Sequence, residues 1–366
     1  MMKLECEIKK IKDAISQTER IIGKNLTLPV LNSILLIAKG KTLKLRATNL
    51  SLGIEVEIPA KVEKEGVVAI SGQVLGGIFS NIMQNENIFI EEDNGNLLIK
   101  TKKNQIKLKG QSFEDFPTIP IVSGTSFEIE SKKFTDGIKS VYYSSSPSDI
   151  KPEISSVYIY SNEGNLIFVS TDSFRLAEKK IKVKNIEEIP GILIPFKNIP
   201  EILRVFGDIS GDIKVCFNKN QISLSTDGVY LTSRVIDGVF PDYRQIISKE
   251  FKTDVVVLKQ DLLSALKLSN IFSDKFNQVN LLINPKGKVF ELSSSNNDVG
   301  ENKTHLDAAL TGEEVALGFN YKYFFDCFQS LNTDSVSIRI NGAQKPIIVT
   351  GVSDSSFLYL IMPMNR

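Results

Sequence analysis

The chain predicts an α+β protein of three tandem, similar domains, each with two helices packed on antiparallel sheets. Three observations carry this reading. Phe116-Pro117, Phe240-Pro241 and Met362-Pro363 close comparable stretches of text, and the three prolines stand 124 and 122 residues apart. A fixed period of domain size in a chain of 366 residues means one unit used three times. A second landmark keeps the period: Val68-Ala69-Ile70, Ile192-Leu193-Ile194 and Val315-Ala316-Leu317 precede helix-like runs carrying Ile78, Ile202 and Phe325. Third, each unit opens on an amphipathic helix and continues in short alternating segments. The domains expected from these landmarks are 1–121, 122–247 and 248–366.

Each opening helix is read from apolar residues at steps of three, four and seven, which share one helix face. Ile8, Ile11, Ile15 and Ile22 mark the first, Phe134, Ile138 and Val141 the second, and Leu262, Leu266 and Ser269 the third, more weakly. Between helices the text alternates with period two. Residues 42–47, 87–91, 96–100 and 105–109 read as half-buried strands, and Asp93-Asn94-Gly95-Asn96 as a hairpin turn between two of them. Gly164-Asn165, Lys219-Asn220, Pro285-Lys286-Gly287 and Asn341-Gly342 repeat that turn style in the later units. Helices on one face of antiparallel sheet define the α+β class.

Composition narrows the function classes. Lys and Arg total 44 against 43 acidic residues, a net charge of +1, so attraction to phosphate must come from arrangement rather than from net charge. Cys6, Cys216 and Cys327 fall one per unit without metal-ligand spacing, which fits a reducing compartment. The opening Met-Met-Lys-Leu-Glu-Cys-Glu places acids where a signal peptide needs an apolar run, and no stretch approaches the ~20 apolar residues of a membrane span. A cytoplasmic protein without cofactor or metal is expected. His305 is the single histidine and sits in polar text; no P-loop, GxSxG or HExxH motif is present. Nothing supplies an evident acid, base and nucleophile together. Taken alone, these residues still allow an enzyme with a cleft at a domain junction, using Asp172 as acid and Arg175 as electrostatic partner, or a structural repeat protein.

Four local texts go further: Thr27-Leu28-Pro29-Val30-Leu31, Ser170-Thr171-Asp172-Ser173-Phe174-Arg175-Leu176-Ala177, Asp237-Gly238-Val239-Phe240-Pro241-Asp242-Tyr243-Arg244 and the terminal Met362-Pro363-Met364. In that order and at that period, the chain closely resembles the bacterial DNA polymerase III β subunit, the replicative sliding clamp, from its first helix to its last residue. The resemblance implies two subunits joined head to tail, so that each forms half of a closed ring around duplex DNA. It implies no catalysis, and a cytoplasmic place in association with the nucleoid. The implied partners are double-stranded DNA bound without sequence preference, a second copy of the chain, and the replicative polymerase, the clamp loader and other proteins carrying QLxLF-like peptides.

The same resemblance assigns a partner-peptide pocket to Ile154, Thr171, Ser173, Phe174, Arg175, Leu176, Pro241, Ile246, Leu360, Met362, Pro363 and Met364. It places Ile106 and Leu108 opposite Ile271 and Phe272 at the dimer interface. A sliding protein needs diffuse attraction to phosphate rather than base readout, and the cations expected to face DNA are Lys9, Lys12, Arg20, Lys24, Lys132, Lys139, Lys197, Arg204, Lys259 and Lys267. Two departures stand out. The family text is usually Thr-Asp-Gly-His-Arg-Leu, and Ser173 and Phe174 replace Gly and His; the usual terminal Met-Arg-Leu is here Met364-Asn365-Arg366.

Overall fold

A computed structural model describes residues 2–23, 28–82, 87–183, 186 and 188–364. Lys24, Thr27, Asn365 and Arg366, all named above, lie outside the described residues. The chain forms two compact units, one from residues 1–135 with 197–235 and the other from 136–196 with 236–366.

The first unit holds an eight-stranded antiparallel sheet in the order Thr125–Glu130, Asp212–Phe217, Gln221–Thr226, Val229–Arg234, Leu52–Pro59, Thr42–Thr48, Ser33–Lys39 and Gly66–Ser71. Its five-stranded sheet runs Lys61–Lys64, Lys3–Glu7, Asn87–Asp93, Asn96–Lys100 and Gln105–Leu108. The alternation predicted for these strands holds: Leu43, Leu45 and Ala47 are buried while Thr42, Lys44 and Arg46 are not. Lys44 and Arg46 instead grip Glu55 on the next strand, at 2.9 and 2.5 Å. The expected hairpin between Asp93 and Asn96 turns through Asn94 and Gly95, both at positive φ (50° and 78°), the backbone that a two-residue hairpin loop demands.

The second unit repeats the plan. A nine-stranded sheet runs Ile192–Pro195, Ser156–Asn162, Asn165–Thr171, Arg175–Lys182, Phe357–Ile361, Ile347–Gly351, Ser335–Ile340, Thr253–Leu258 and Ala308–Gly312. A four-stranded sheet runs Gly300–His305, Val289–Asn296, Gln278–Asn284 and Val315–Asn320. The sheets run across the expected boundaries at 121/122 and 247/248. Val229–Arg234 pairs with Leu52–Pro59, and Arg175–Lys182 pairs with Phe357–Ile361.

Helices α1 (Ile8–Thr18), α2 (Gly72–Asn81), α3 (Ser131–Lys139), α4 (Ile199–Phe206), α5 (Lys259–Ile271) and α6 (Tyr321–Asp326) carry the apolar stripes. In α1, Ile8, Ile11 and Ile15 are buried as predicted, each contributing roughly 1.5–3 kcal/mol. The predicted fourth member, Ile22, lies beyond the helix and is half-buried; Ile21 takes the core position. The helix ends at Thr18 and closes in a turn, with the Glu19 N–H on the Ile15 carbonyl (2.8 Å) and the Ile21 N–H on the Thr18 carbonyl (3.1 Å). Val141 likewise lies past the end of α3, although it is buried with Phe134 and Ile138. In α5, Leu262, Leu266 and Ser269 are all buried. The periodic landmarks Ile78 and Phe325 are half-buried; Leu75 and Phe79 fill the core from α2, and Phe324 does so from α6. Gly137 in α3 is required by close approach, since a Cβ there would meet the Phe168 ring at 2.4 Å. Among the described residues no helix is long and apolar enough to cross a membrane.

Candidate functional site

The texts around residues 171–176, 240–247 and 360–364 converge in the second unit. Strands Asn165–Thr171 and Arg175–Lys182 pair in register, Thr171 opposite Leu176. The turn between them is tight. Asp172 Oδ1 accepts the backbone N–H groups of Phe174 (2.9 Å) and Arg175 (3.0 Å). The Thr171 hydroxyl accepts the Ser173 N–H at 3.1 Å and donates to the Arg175 carbonyl at 2.6 Å. Ser173 takes φ = 79°, the left-handed region that glycine enters without cost. That backbone explains the family's usual Gly here, and holding Ser in it costs on the order of 1 kcal/mol.

Leu176 pairs with Leu360 and Arg175 with Ile361 on the C-terminal strand. The Met362 N–H then donates to the Phe174 carbonyl, and the Met364 N–H to the Gly318 carbonyl, both at 2.8 Å. The terminal segment is thereby seated against the turn. Leu176 and Leu360 belong to a buried cluster with Tyr160, Ile167, Val169, Leu193, Phe240 and Tyr243, and Met362 packs on its margin. Pro241 is exposed between Phe240 and Tyr243, and its carbonyl accepts the Tyr243 N–H at 2.8 Å. Ile246 ends the following single turn of helix, Tyr243–Ile246, and is 46 % exposed. Pro363 and Met364 are half-buried. Ile154 and Thr171 are buried and present little surface to a ligand, a difference from the expected lining.

Arg175 does not stand free as a polar wall. Its Nε donates to Asp172 Oδ2 at 2.9 Å, its Nη1 donates to Asp326 at the end of α6, and its guanidinium lies 4.7 Å from the Tyr323 ring centre. Tyr323 also stacks with Phe174, whose side chain is 60 % exposed; the ring centres are 6.5 Å apart and the planes 20° apart. The alternative reading of Asp172 as a catalytic acid fails here, because both carboxylate oxygens are spent on the turn and on Arg175. Sequence reasoning missed Tyr158, Tyr160, Tyr323 and Asp326. Tyr158 and Tyr160 could have been found from period two on their strand: they stack on each other at 4.9 Å, and Tyr158 stacks on Phe240 at 4.8 Å. No sequence signal ties Tyr323 to Arg175.

The expected interface residues lie on an edge strand in the first unit and at the end of α5 in the second. Ile106 and Leu108 are half-buried on Gln105–Leu108, the outermost strand of the five-stranded sheet. Ile271 is 60 % exposed at the end of α5, with Phe272 half-buried after it. A Cβ built on Gly300, the first residue of edge strand Gly300–His305, would come within 3.8 Å of the Phe272 ring.

The expected DNA-facing cations separate into two groups. Lys9, Arg20, Lys132, Lys139, Lys197 and Lys267 are exposed and Lys12 is half-buried, although Arg20 follows α1 rather than lying on it. Two others already have partners within the fold. Arg204 donates to Glu201 (2.7 Å) and to the carbonyls of Ser16 (2.6 Å) and Gln17 (2.8 Å), which ties α4 to the last turn of α1. The Lys259 ammonium is half-buried and bonds the Leu331 carbonyl. Two of the thiols are held protonated: burial pushes Cys6 up to about 12, and burial raises Cys327 as well.

Family models match nearly the whole chain. Residues 2–120, 128–242 and 244–365 match the N-terminal, central and C-terminal domain models of the DNA polymerase III beta subunit. The chain belongs to the DNA polymerase III beta subunit family. Among its relatives, the beta sliding clamp of Synechococcus elongatus is 26 % identical over 374 residues, covering 100 % of this chain and 99 % of that protein. The clamp of Staphylococcus aureus is 26 % identical over 361 residues and covers 96 % of each. The fold agrees with the sliding clamp of Bacillus subtilis (TM-score 0.94, 22 % identity, 100 % and 99 % covered) and the beta subunit of Thermotoga maritima (TM-score 0.94, 24 % identity, both chains fully covered). A Pseudomonas aeruginosa clamp solved with griselimycin bound is 22 % identical, with a TM-score of 0.94 and both chains fully covered. The α+β class with three clamp domains is thus established, and the protein is a DNA sliding clamp, a replication factor and not an enzyme.

Proposed function

We propose that two copies of this clamp join head to tail into a ring around duplex DNA, and that the cluster around Leu176, Leu360 and Met362 receives short peptides from the replicative polymerase, the clamp loader and other clamp-binding proteins. The observation that carries this reading is the uninterrupted run of three beta-subunit domains over nearly the whole chain. The near-neutral net charge supports topological rather than tight electrostatic retention. Loaded on a nicked circle, the protein is expected to persist until the circle is cut and then to run off. Equal release from circular and linear DNA overturns the encircling role.

Attraction to the duplex is expected to be salt-sensitive and indifferent to sequence. Replacing Lys9, Lys12, Arg20 and Lys24 by Ala should lower loading and flatten the salt dependence by up to about 0.9 for each phosphate no longer neutralised. Arg204→Ala serves as the contrast. Its guanidinium is paired with Glu201 and bonded to the last turn of α1, so the variant should melt earlier while the salt slope stays unchanged; binding titrations across a salt series separate the two.

Phe174 supplies the pocket's exposed aromatic face in this reading. An aromatic pair contributes about 0.5–1.5 kcal/mol beyond area burial. Phe174→His should therefore weaken a QLxLF peptide by roughly three- to tenfold, measured by fluorescence anisotropy. Unchanged affinity would place the peptide's aromatic anchor elsewhere.

A further inference from the structure

One polar chain in the second unit is absent from the site described so far. Arg244 Nη2 donates to the Tyr160 hydroxyl at 2.7 Å, and its guanidinium lies 5.4 Å from that ring's centre. The Tyr160 and Tyr243 hydroxyls are 2.7 Å apart, and Tyr243 donates onward to the Glu178 carboxylate. Because Tyr243 spends its only proton on Glu178, Tyr160 must donate to Tyr243, and Arg244 to Tyr160. The chain therefore has one direction, from a guanidinium to a carboxylate through two phenols. Burial, with Glu178 next, holds the Tyr243 phenol above its usual range, so it remains a donor. Glu178 and Tyr243 are both buried, whereas Arg244 is exposed. Lys180 Nζ sits 3.3 Å from the other Glu178 oxygen, so the buried carboxylate has a cation beside it as well as the phenol.

The chain's position gives it a task. Tyr243 and Arg244 open the single helical turn that ends at Ile246, and Pro241 shortly precedes it. Glu178 lies two residues beyond Leu176 on the strand that pairs with Leu360. Tyr160 and Tyr243 share the buried cluster with both leucines. We infer that the Arg244–Tyr160–Tyr243–Glu178 chain is the positioning device of the peptide pocket, pinning the 240–247 segment to the strand that carries Arg175 and Leu176. No member needs to touch the peptide. The charge-assisted ends make the chain stronger than neutral hydrogen bonds, and removing one link leaves a buried partner unsatisfied.

This inference rests on the proposed pocket, and the test separates the two. Tyr243→Phe keeps the ring and removes the link. Its expected effect is a pocket that is correctly formed only part of the time. The association rate of a labelled QLxLF peptide should then fall about tenfold while its dissociation rate is unchanged, since only the competent fraction has dropped. Amide exchange over residues 242–247 should quicken in the same variant without any peptide present. Glu178→Gln retains an acceptor for Tyr243 and should lose less than Glu178→Leu. If Tyr243→Phe does not fold, Arg244→Met, at an exposed position, breaks the chain at its outer end and should give the same pair of changes. A faster dissociation with normal association would mean direct contact. A lowered melting point with unchanged peptide kinetics and exchange would mean a structural role alone. Either result overturns the positioning role. Failure of the unmodified protein to bind the peptide would overturn the pocket itself, and the exchange measurement would still decide whether the chain holds the segment.

Discussion

Replacing Ile271 and Phe272 together by Glu is expected to give a soluble monomer. Ile271 is exposed in the single chain, and Phe272 lies beside the first residue of an edge strand. An apolar side chain buried in an interface contributes roughly 1.5–3 kcal/mol, and a carboxylate buried there without a partner costs more. Losing two such side chains alone weakens each joint of the proposed ring by about two to four orders of magnitude. Sedimentation or light scattering at micromolar protein should report half the mass of the unmodified protein. The same variant should fail to remain on a nicked circle, while its melting curve changes little because neither side chain is part of the core. An unchanged mass would locate the joint at another surface.

Deleting Met362 through Arg366 is expected to abolish peptide binding and processive synthesis while leaving the dimer intact. The deletion removes the Met362 side chain from the margin of the Leu176–Leu360 cluster and the backbone bonds from Met362 to Phe174 and from Met364 to Gly318. Met is an adaptable, polarizable wall for varied apolar anchors, and few residues carry most of the energy of such contacts. The expected loss exceeds a hundredfold, or about 2.7 kcal/mol. Anisotropy with a QLxLF peptide, run beside a mass measurement, checks both halves. Full-strength binding by the shortened dimer would place the pocket elsewhere.

The fold was legible because its signals are local and repeated. Leu43, Leu45 and Ala47 alternate with polar residues on one strand, Asn94-Gly95 dictates a hairpin, and Ile8, Ile11 and Ile15 mark one helix face. The helix end at Thr18 was less legible, since the apolar spacing continues to Ile22 while the backbone already turns, the Ile21 N–H closing on the Thr18 carbonyl. The site was half legible. Leu176, Leu360 and Met362 meet as family resemblance implies, since strand register brings them together. The commitments of Arg204, Lys259 and Arg175 could not be read, because each depends on a partner remote in sequence: the carbonyls of Ser16 and Gln17, the carbonyl of Leu331, and the carboxylate of Asp326. A cation's type is written in the sequence, but whether it is already spent is not.

The strand pairing between Val229–Arg234 and Leu52–Pro59 has a consequence for synthesis. The first unit's larger sheet cannot close until residue 234 has left the ribosome, although its other edge is complete by residue 71. During that interval Leu52–Pro59 presents a row of open N–H and C=O groups. A fragment ended at residue 121 would keep that edge open permanently and should aggregate, although the cut falls where the sequence repeats. A fragment ended after Val235 closes the sheet. The repeat that organises the sequence is therefore not the unit in which the chain folds, and nascent chains between these two lengths need protection from one another.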